Sequence, residues 1–262
     1  LITAYLASAA AQGYAATTLA ARRVHLAHFA NWCDARGLGA PETITPGVLE
    51  HYRQSLFHRR HADGTPLAWA TQAHQLTAVR MLLAWATRTH RVLVNPAAEL
   101  ELPRLPKRLP RAVLSVSEVE RVLAQPDVVT ALGLRDRAIL EVLYSTGIRR
   151  LELVGLDCRD LDAERGVLFV REGKGKKDRL VPIGERAMRW TQRYLDRVRA
   201  TLLRRALQHP DRHALFLSAR GTRLRATKLT DRVHQYLVNA GIAKPGSVHI
   251  FRHTMATLMH DA

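Results

Sequence analysis

Three prolines fall within eight positions of "LELPRLPKRLPRAVLS" (residues 100–115), at Pro103, Pro106 and Pro110. Each removes a backbone donor and drives the residue before it into an extended conformation. No helix or central strand can run through such a stretch. With four basic residues interleaved, it reads as an extended, positively charged linker over 103–112. The 262 residues therefore divide into a domain at 1–102 and a larger one at 113–262, each long enough for its own core.

The first part reads as helical throughout. "TTLAARRVHLAHFANWCDARG" spaces Leu19, Val24 (or Arg23), Leu26, Phe29 and Trp32 by three- and four-residue steps and stops at Gly37. "TPGVLEHYRQSLFHRR" opens on a Thr-Pro start and carries Val48, Tyr52 and Leu56. "AWATQAHQLTAVRMLLAWATRTH" places Leu76, Val79, Leu83 and Trp85, and "NPAAEL" reads as a short last helix. Nothing alternates like a strand. A bundle of four or five helices is expected, with basic faces at Arg22, Arg23, Arg80 and Arg88.

The second part mixes helix and strand. "SVSEVERVLAQ" offers Ser117 as an N-cap with Glu120 three residues on. "LRDRAILEVLYSTG" is an amphipathic helix ending near Gly147, followed by a short helix over "IRRLELVGL". "GVLFVREGKGKKDRLVPI" reads as a β-hairpin, with strands at 167–170 and 180–183 and a turn at 173–177. Long helices over "AMRWTQRYLDRVRATLLRRAL" and "DRVHQYLVNAGI" precede a final one beginning near His249. The fold expected is mainly α with a small β-hairpin or sheet.

Charge narrows the partner. Lys and Arg number 40 against 23 acids, a net +17 that favours a polyanion. The excess is uneven: 1–105 nets +4 and 106–262 nets +13. Only 6 of the 40 are Lys, and the guanidinium fork suits phosphate. Two distant cysteines, Cys33 and Cys158, suggest neither a disulfide framework nor a zinc site, and fit a reducing cytosol. No apolar run nears the roughly 20 residues needed to span a bilayer, and no signal peptide is visible. Because the first residue is Leu1, a natural N-terminus further upstream is expected.

Three short stretches carry candidate chemistry. "EGKGKKDR" gathers three lysines on a glycine-rich turn. It lacks the run of a P-loop and precedes a strand, so nucleotide binding is rejected. Lys174 there can bring an ammonium to a DNA backbone oxygen; the alternative is a solvated turn. Arg149 has Glu152 one turn later, where a carboxylate either orients the guanidinium or forms a plain intrahelical ion pair. In "HIFRHTMATLM", Phe251, Met255 and Leu258 form one stripe, while His249, Arg252 and His253 face another way. Together His249 and Arg252 can neutralise a phosphate. A metal site fails there, because Arg is a poor ligand and no Cys or acid has suitable spacing.

Taken in order and spacing, "STGIRRLELVGL", "GKGKKDRLVPI" and "HIFRHTMAT" resemble the boxes of the tyrosine recombinase (phage integrase) family, most of all its Xer-type and transposon-borne bacterial members. The likeness covers most of the chain. It implies a helical core-binding (SAM-like) domain, a linker and an α+β catalytic domain, together forming a C-shaped clamp on double-stranded DNA. It implies a homo- or hetero-tetramer on two DNA sites, a Holliday-junction intermediate, a cytoplasmic location in a bacterium, and accessory DNA-binding or regulatory proteins.

By the same resemblance, a tyrosine attacks the scissile phosphate and leaves a 3′-phosphotyrosine. Arg149 and Arg252 hold the non-bridging oxygens, Lys174 is the general acid, His249 assists at the phosphate, and Glu152 supports Arg149. Neither metal nor other cofactor is required, because the phosphotyrosine bond conserves the energy of the cut strand. Candidate contacts to DNA are Arg22, Arg23, Arg80, Lys107, Arg108, Lys176, Lys177, Arg179, Arg223 and Arg225.

One departure stands out. All six tyrosines (Tyr5, Tyr14, Tyr52, Tyr144, Tyr194, Tyr236) precede the His-x-x-Arg box, and none occupies the nucleophile position. The nucleophile is expected beyond Ala262, and this polypeptide is expected to bind DNA without cutting it. A non-catalytic DNA-binding clamp and a type IB topoisomerase-like enzyme are the rival readings.

Overall fold

The computed structural model describes residues 1–105, 112–171, 177–206 and 209–260. The chain forms two compact units, Leu1–Lys107 and Arg108–Ala262. Each has its own apolar cluster, and no residue belongs to both.

The first unit packs four helices: α1 (Ile2–Ala11), α2 (Ala16–Asp34), α3 (Pro46–His58) and α4 (Trp69–Arg88). α3 begins as its sequence dictates, with Pro46 in the first turn and the Thr45 hydroxyl accepting from the Val48 N–H. α4 runs through the centre and buries Leu76, Val79, Leu83 and Trp85. It also buries Gln72, which donates to the Leu67 carbonyl, and Gln75, which accepts from the Tyr52 hydroxyl. Phe29 and Trp32 each pack edge to face against Tyr52, joining α2 to α3.

Three local expectations change in this unit. On α2 the buried stripe is Leu26, Phe29 and Cys33, and Val24 is exposed. "NPAAEL" is a turn: the Asn95 side chain accepts from the Ala97 N–H, and the backbone bonds that follow close three-residue loops, too short to nucleate a helix. α1 was not anticipated, because its alanine-rich sequence has strong helix propensity but few large apolar side chains to betray a period.

The second unit is built around α6 (Ala131–Thr146), buried on most of its circumference. Before it comes α5 (Val116–Leu123), whose N-cap is Ser115 and not Ser117: the Ser115 hydroxyl accepts from the Glu118 N–H, and Glu118 accepts from the Ser115 N–H. After it come α7 (Arg150–Gly155), then β1 (Leu161–Asp162), β2 (Val167–Val170) and β3 (Arg179–Pro182). These strands form an antiparallel sheet in the order β1-β2-β3, with Val170 opposite Arg179. The two-residue β1 lies outside the hairpin expected, and β3 starts one residue early.

The long helix expected at 187–207 is interrupted. α8 (Glu185–Tyr194) passes through a π-helical turn at Leu195–Arg199 into α9 (Ala200–Arg204). α10 (Ala226–Asn239) and α11 (Val248–His260) complete the unit. Among the described residues, no helix is long and apolar enough to cross a membrane, and no group of three or more His, Cys, Asp or Glu side chains could hold a metal ion.

Candidate functional site

Gly147 stands at the junction of two of the sequence boxes. It ends α6 in the left-handed conformation (φ 55°), where a side chain is disfavoured. A methyl added there would also collide with Met255 Cε, on α11. The close approach lets Arg252, one turn before Met255, donate from Nη1 to the Gly147 carbonyl at 2.6 Å. α11 is fixed in turn by Thr254, a buried residue whose hydroxyl accepts from the Leu114 N–H at 2.9 Å. Val248, Ile250, Phe251 and Thr254 form its buried face, while Met255 and Leu258 are only half-buried. The stripe read from the sequence is therefore rotated toward the helix N-terminus, because the start of α11, not its end, packs into the core.

Two residues beyond Gly147, Arg149 is the N-cap of α7. Glu152, in the first turn, accepts from the Arg149 N–H at 2.7 Å and from Arg149 Nη1 at 2.9 Å. Arg179, at the start of β3, donates to the same carboxylate from Nη1 at 3.0 Å and from Nη2 at 2.7 Å. Burial by itself would push the Glu152 carboxyl up. The hydrogen bonds from Arg179 and Arg149 outweigh it and hold the group at about 2, so it is charged at every working pH. Arg252 is shifted below its ordinary value, first by desolvation and then by repulsion from Arg149 and Arg179, with Glu152 opposing.

Arg149, Glu152, Arg179 and Arg252 thus form one electrostatic cluster. Three guanidiniums and one carboxylate leave a net charge of +2. The Nε and Nη2 of Arg149 and the Nε and Nη2 of Arg252 have no hydrogen-bond partner among the described residues. Guanidiniums with paired open N–H groups can bind a tetrahedral oxyanion. His249, one turn before Arg252, is exposed. Lys174, Lys176, Lys107 and Arg108 lie outside the described residues.

The other basic candidates part company. Arg23, Arg80, Lys177 and Arg225 are exposed. Arg22 is used inside the first unit: it donates to the Tyr5 hydroxyl at 2.9 Å and lies 4.3 Å over the Tyr14 ring. Arg223 is engaged within its unit: its guanidinium makes four hydrogen bonds, to Asp211, Asp157 and the carbonyls of Val154 and Leu156, tying α7 to the loops around it. Arg179 too is turned inward. The sequence reading missed the Gly147 carbonyl as an anchor; the glycine before Arg149 was its one visible signal.

Residues 112–262 match the family model described as the phage integrase family. Tyrosine recombinase XerC 2 of Ralstonia nicotianae is 46% identical over 250 residues, which cover 95% of this chain and 71% of that protein. Tyrosine recombinase XerD of Pseudomonas aeruginosa is 36% identical over 253 residues, 96% of this chain and 80% of that protein. Among solved structures, the Tn1549 transposon integrase in complex with circular intermediate DNA aligns with a TM-score of 0.70 at 17% identity, over 99% of this chain and 87% of that one. XerH recombinase bound to palindromic difH substrate aligns at 0.69 and 19% identity, over 94% and 68%. At these identities the two structures establish a common fold.

Proposed function

This chain belongs to the phage integrase family and is a tyrosine-type site-specific DNA recombinase, and from that premise we propose that Arg149 and Arg252 hold the scissile phosphate of its DNA. The observation that carries this reading is their common anchorage at the turn 147–149, with open N–H groups on both.

The charge supports it. A phosphodiester carries one negative charge, and the pentavalent transition state of tyrosine attack carries two. A rigid cluster of net +2 matches the transition state better than the ground state, which is what accelerates the step. Burial of the Glu152 carboxylate means that its orientation is set before DNA arrives. His249 is assigned to hydrogen-bond the phosphate or to assist proton transfer, on the strength of the resemblance. Lys174 is assigned to protonate the departing 5′-oxygen, on the strength of the resemblance alone.

None of the six tyrosines suits the attack. Tyr5, Tyr52, Tyr194 and Tyr236 are buried, Tyr144 is half-buried beside Arg186, and Tyr14 lies in the first unit against Arg22. The nucleophile is assigned to a tyrosine outside these 262 residues. The working assembly is four copies on two duplexes in the bacterial cytoplasm, exchanging strands through a Holliday junction. Accessory proteins at the DNA site belong to the same reading.

The test is a suicide DNA substrate carrying the recombination site, incubated with the complete reading frame and resolved on a denaturing gel. A covalent protein–DNA adduct is expected. Arg149→Ala and Arg252→Ala should each lower its rate roughly 10²–10³-fold, the usual cost of removing one preorganised donor. Tight, salt-sensitive binding with no adduct would replace this reading with a non-catalytic clamp.

A further inference from the structure

Resting on that reading of Arg149, we propose that Arg179 is a positioning residue for strand cleavage: it occupies the half of the Glu152 carboxylate that Arg149 would otherwise take, and it does not ligate DNA itself.

A carboxylate has about four acceptor positions, and Glu152 fills all four. Two bonds come from Arg149, one through its backbone N–H and one through Nη1. Two come from Arg179, as a fork across both oxygens. The consequence for Arg149 is specific. With Glu152 saturated, Arg149 can spend only Nη1 on it, and its Nε and Nη2 stay free. Without Arg179, two acceptor positions on a buried carboxylate fall vacant. An unmet buried acceptor is costly, and the nearest donor able to meet it is the remainder of the Arg149 guanidinium. Arg149 would swing into a bidentate pair with Glu152 and present fewer N–H groups to the phosphate.

The position of Arg179 makes this a link between elements. It lies 27 residues from Glu152 in sequence, on a strand, while Arg149 caps a helix.

The experiment uses the complete protein with Arg179→Met, Arg179→Lys, Glu152→Gln and the double variant Arg179→Met/Glu152→Gln. Single-turnover cleavage of the suicide substrate is measured at saturating protein, and DNA affinity across a salt series. Arg179→Met should cleave about 10–100-fold more slowly, the range expected when a catalytic group is misplaced by about an ångström. The slope of log affinity against log salt should not change. The double variant should be no slower than Glu152→Gln within about 2–3-fold, because Arg179 acts only through that carboxylate. Arg179→Lys should recover part of the rate, as a single charge without a fork.

A salt slope reduced by about 1, with losses that multiply in the double variant, would make Arg179 a DNA ligand and overturn the proposal. Unaltered cleavage by Arg179→Met would overturn it as well. Should Arg179→Met melt below the assay temperature, Arg179→Lys carries the same slope and coupling tests. If Arg149→Ala itself cleaves normally, the reading beneath the proposal fails instead, and the two failures are told apart.

Discussion

At the residue scale, Glu152 makes the sharpest pH prediction. Its carboxyl is held at about 2, against an ordinary 4.5. A depressed folded value contributes stability that is complete above the ordinary value and is lost as pH falls toward the folded one. The melting temperature of the wild-type chain should therefore decline between pH 5 and 2 more steeply than that of Glu152→Gln, and equal slopes would show that the carboxylate is not held by the arginines. Gly147 supplies a second test. Gly147→Ala puts a side chain in the left-handed region, at about 1–2 kcal/mol, and adds the collision with Met255. Met255 Cε is the end of a flexible, half-buried side chain that can turn aside, so chemical denaturation should read mainly the backbone cost. One-turn spacing paired Arg149 with Glu152 and His249 with Arg252, and only the family resemblance joined the two pairs; in the structure Arg149, Glu152 and Arg252 share one cluster and His249 is exposed. The inward turn of Arg179 and Arg223 was not legible in the sequence. A basic residue on a strand or in a loop reads as solvated until the chain brings an acid to it from 27 or 66 positions away.

At the scale of elements, α11 is held at its centre by one hydroxyl. Thr254→Val keeps the shape but leaves the buried Leu114 N–H unpaired, so it should cost about 1–3 kcal/mol in denaturant unfolding and slow cleavage by loosening Arg252. Arg223→Met should destabilise the second unit by roughly the same amount while leaving the salt dependence of DNA binding untouched, since it ties α7 to its loops and not to a phosphate. Helix existence was readable from the 3.6-residue period at α2, α3, α4, α6 and α10. The start of α5 was not, for a concrete reason. Ser115 and Ser117 each have a Glu three residues later, so the motif fits twice. The choice falls to Ser115, with Val119, Val122 and Leu123 of the same helix buried in the core. The π-helical turn at 195–199 left no trace in a uniformly helical pattern.

At the scale of the whole molecule, two separate apolar clusters predict two folding units. Residues 1–107 expressed alone should melt cooperatively by circular dichroism; a non-cooperative loss of signal would mean that their core depends on the second unit. The division at Lys107 and Arg108 falls inside the stretch 103–112 read from the sequence as a linker. Finally, the turn from Gly147 to Arg149 works as a common datum for two side chains that lie 103 positions apart. Arg252 is gauged against the carbonyl at one end of it and Arg149 against the cap at the other. The error in their separation accumulates over three residues of backbone and not over the whole unit, so the tolerance of the site is decoupled from the manufacturing tolerance of the fold. Loops elsewhere are free to drift in length, and the spacing between the two guanidiniums stays calibrated.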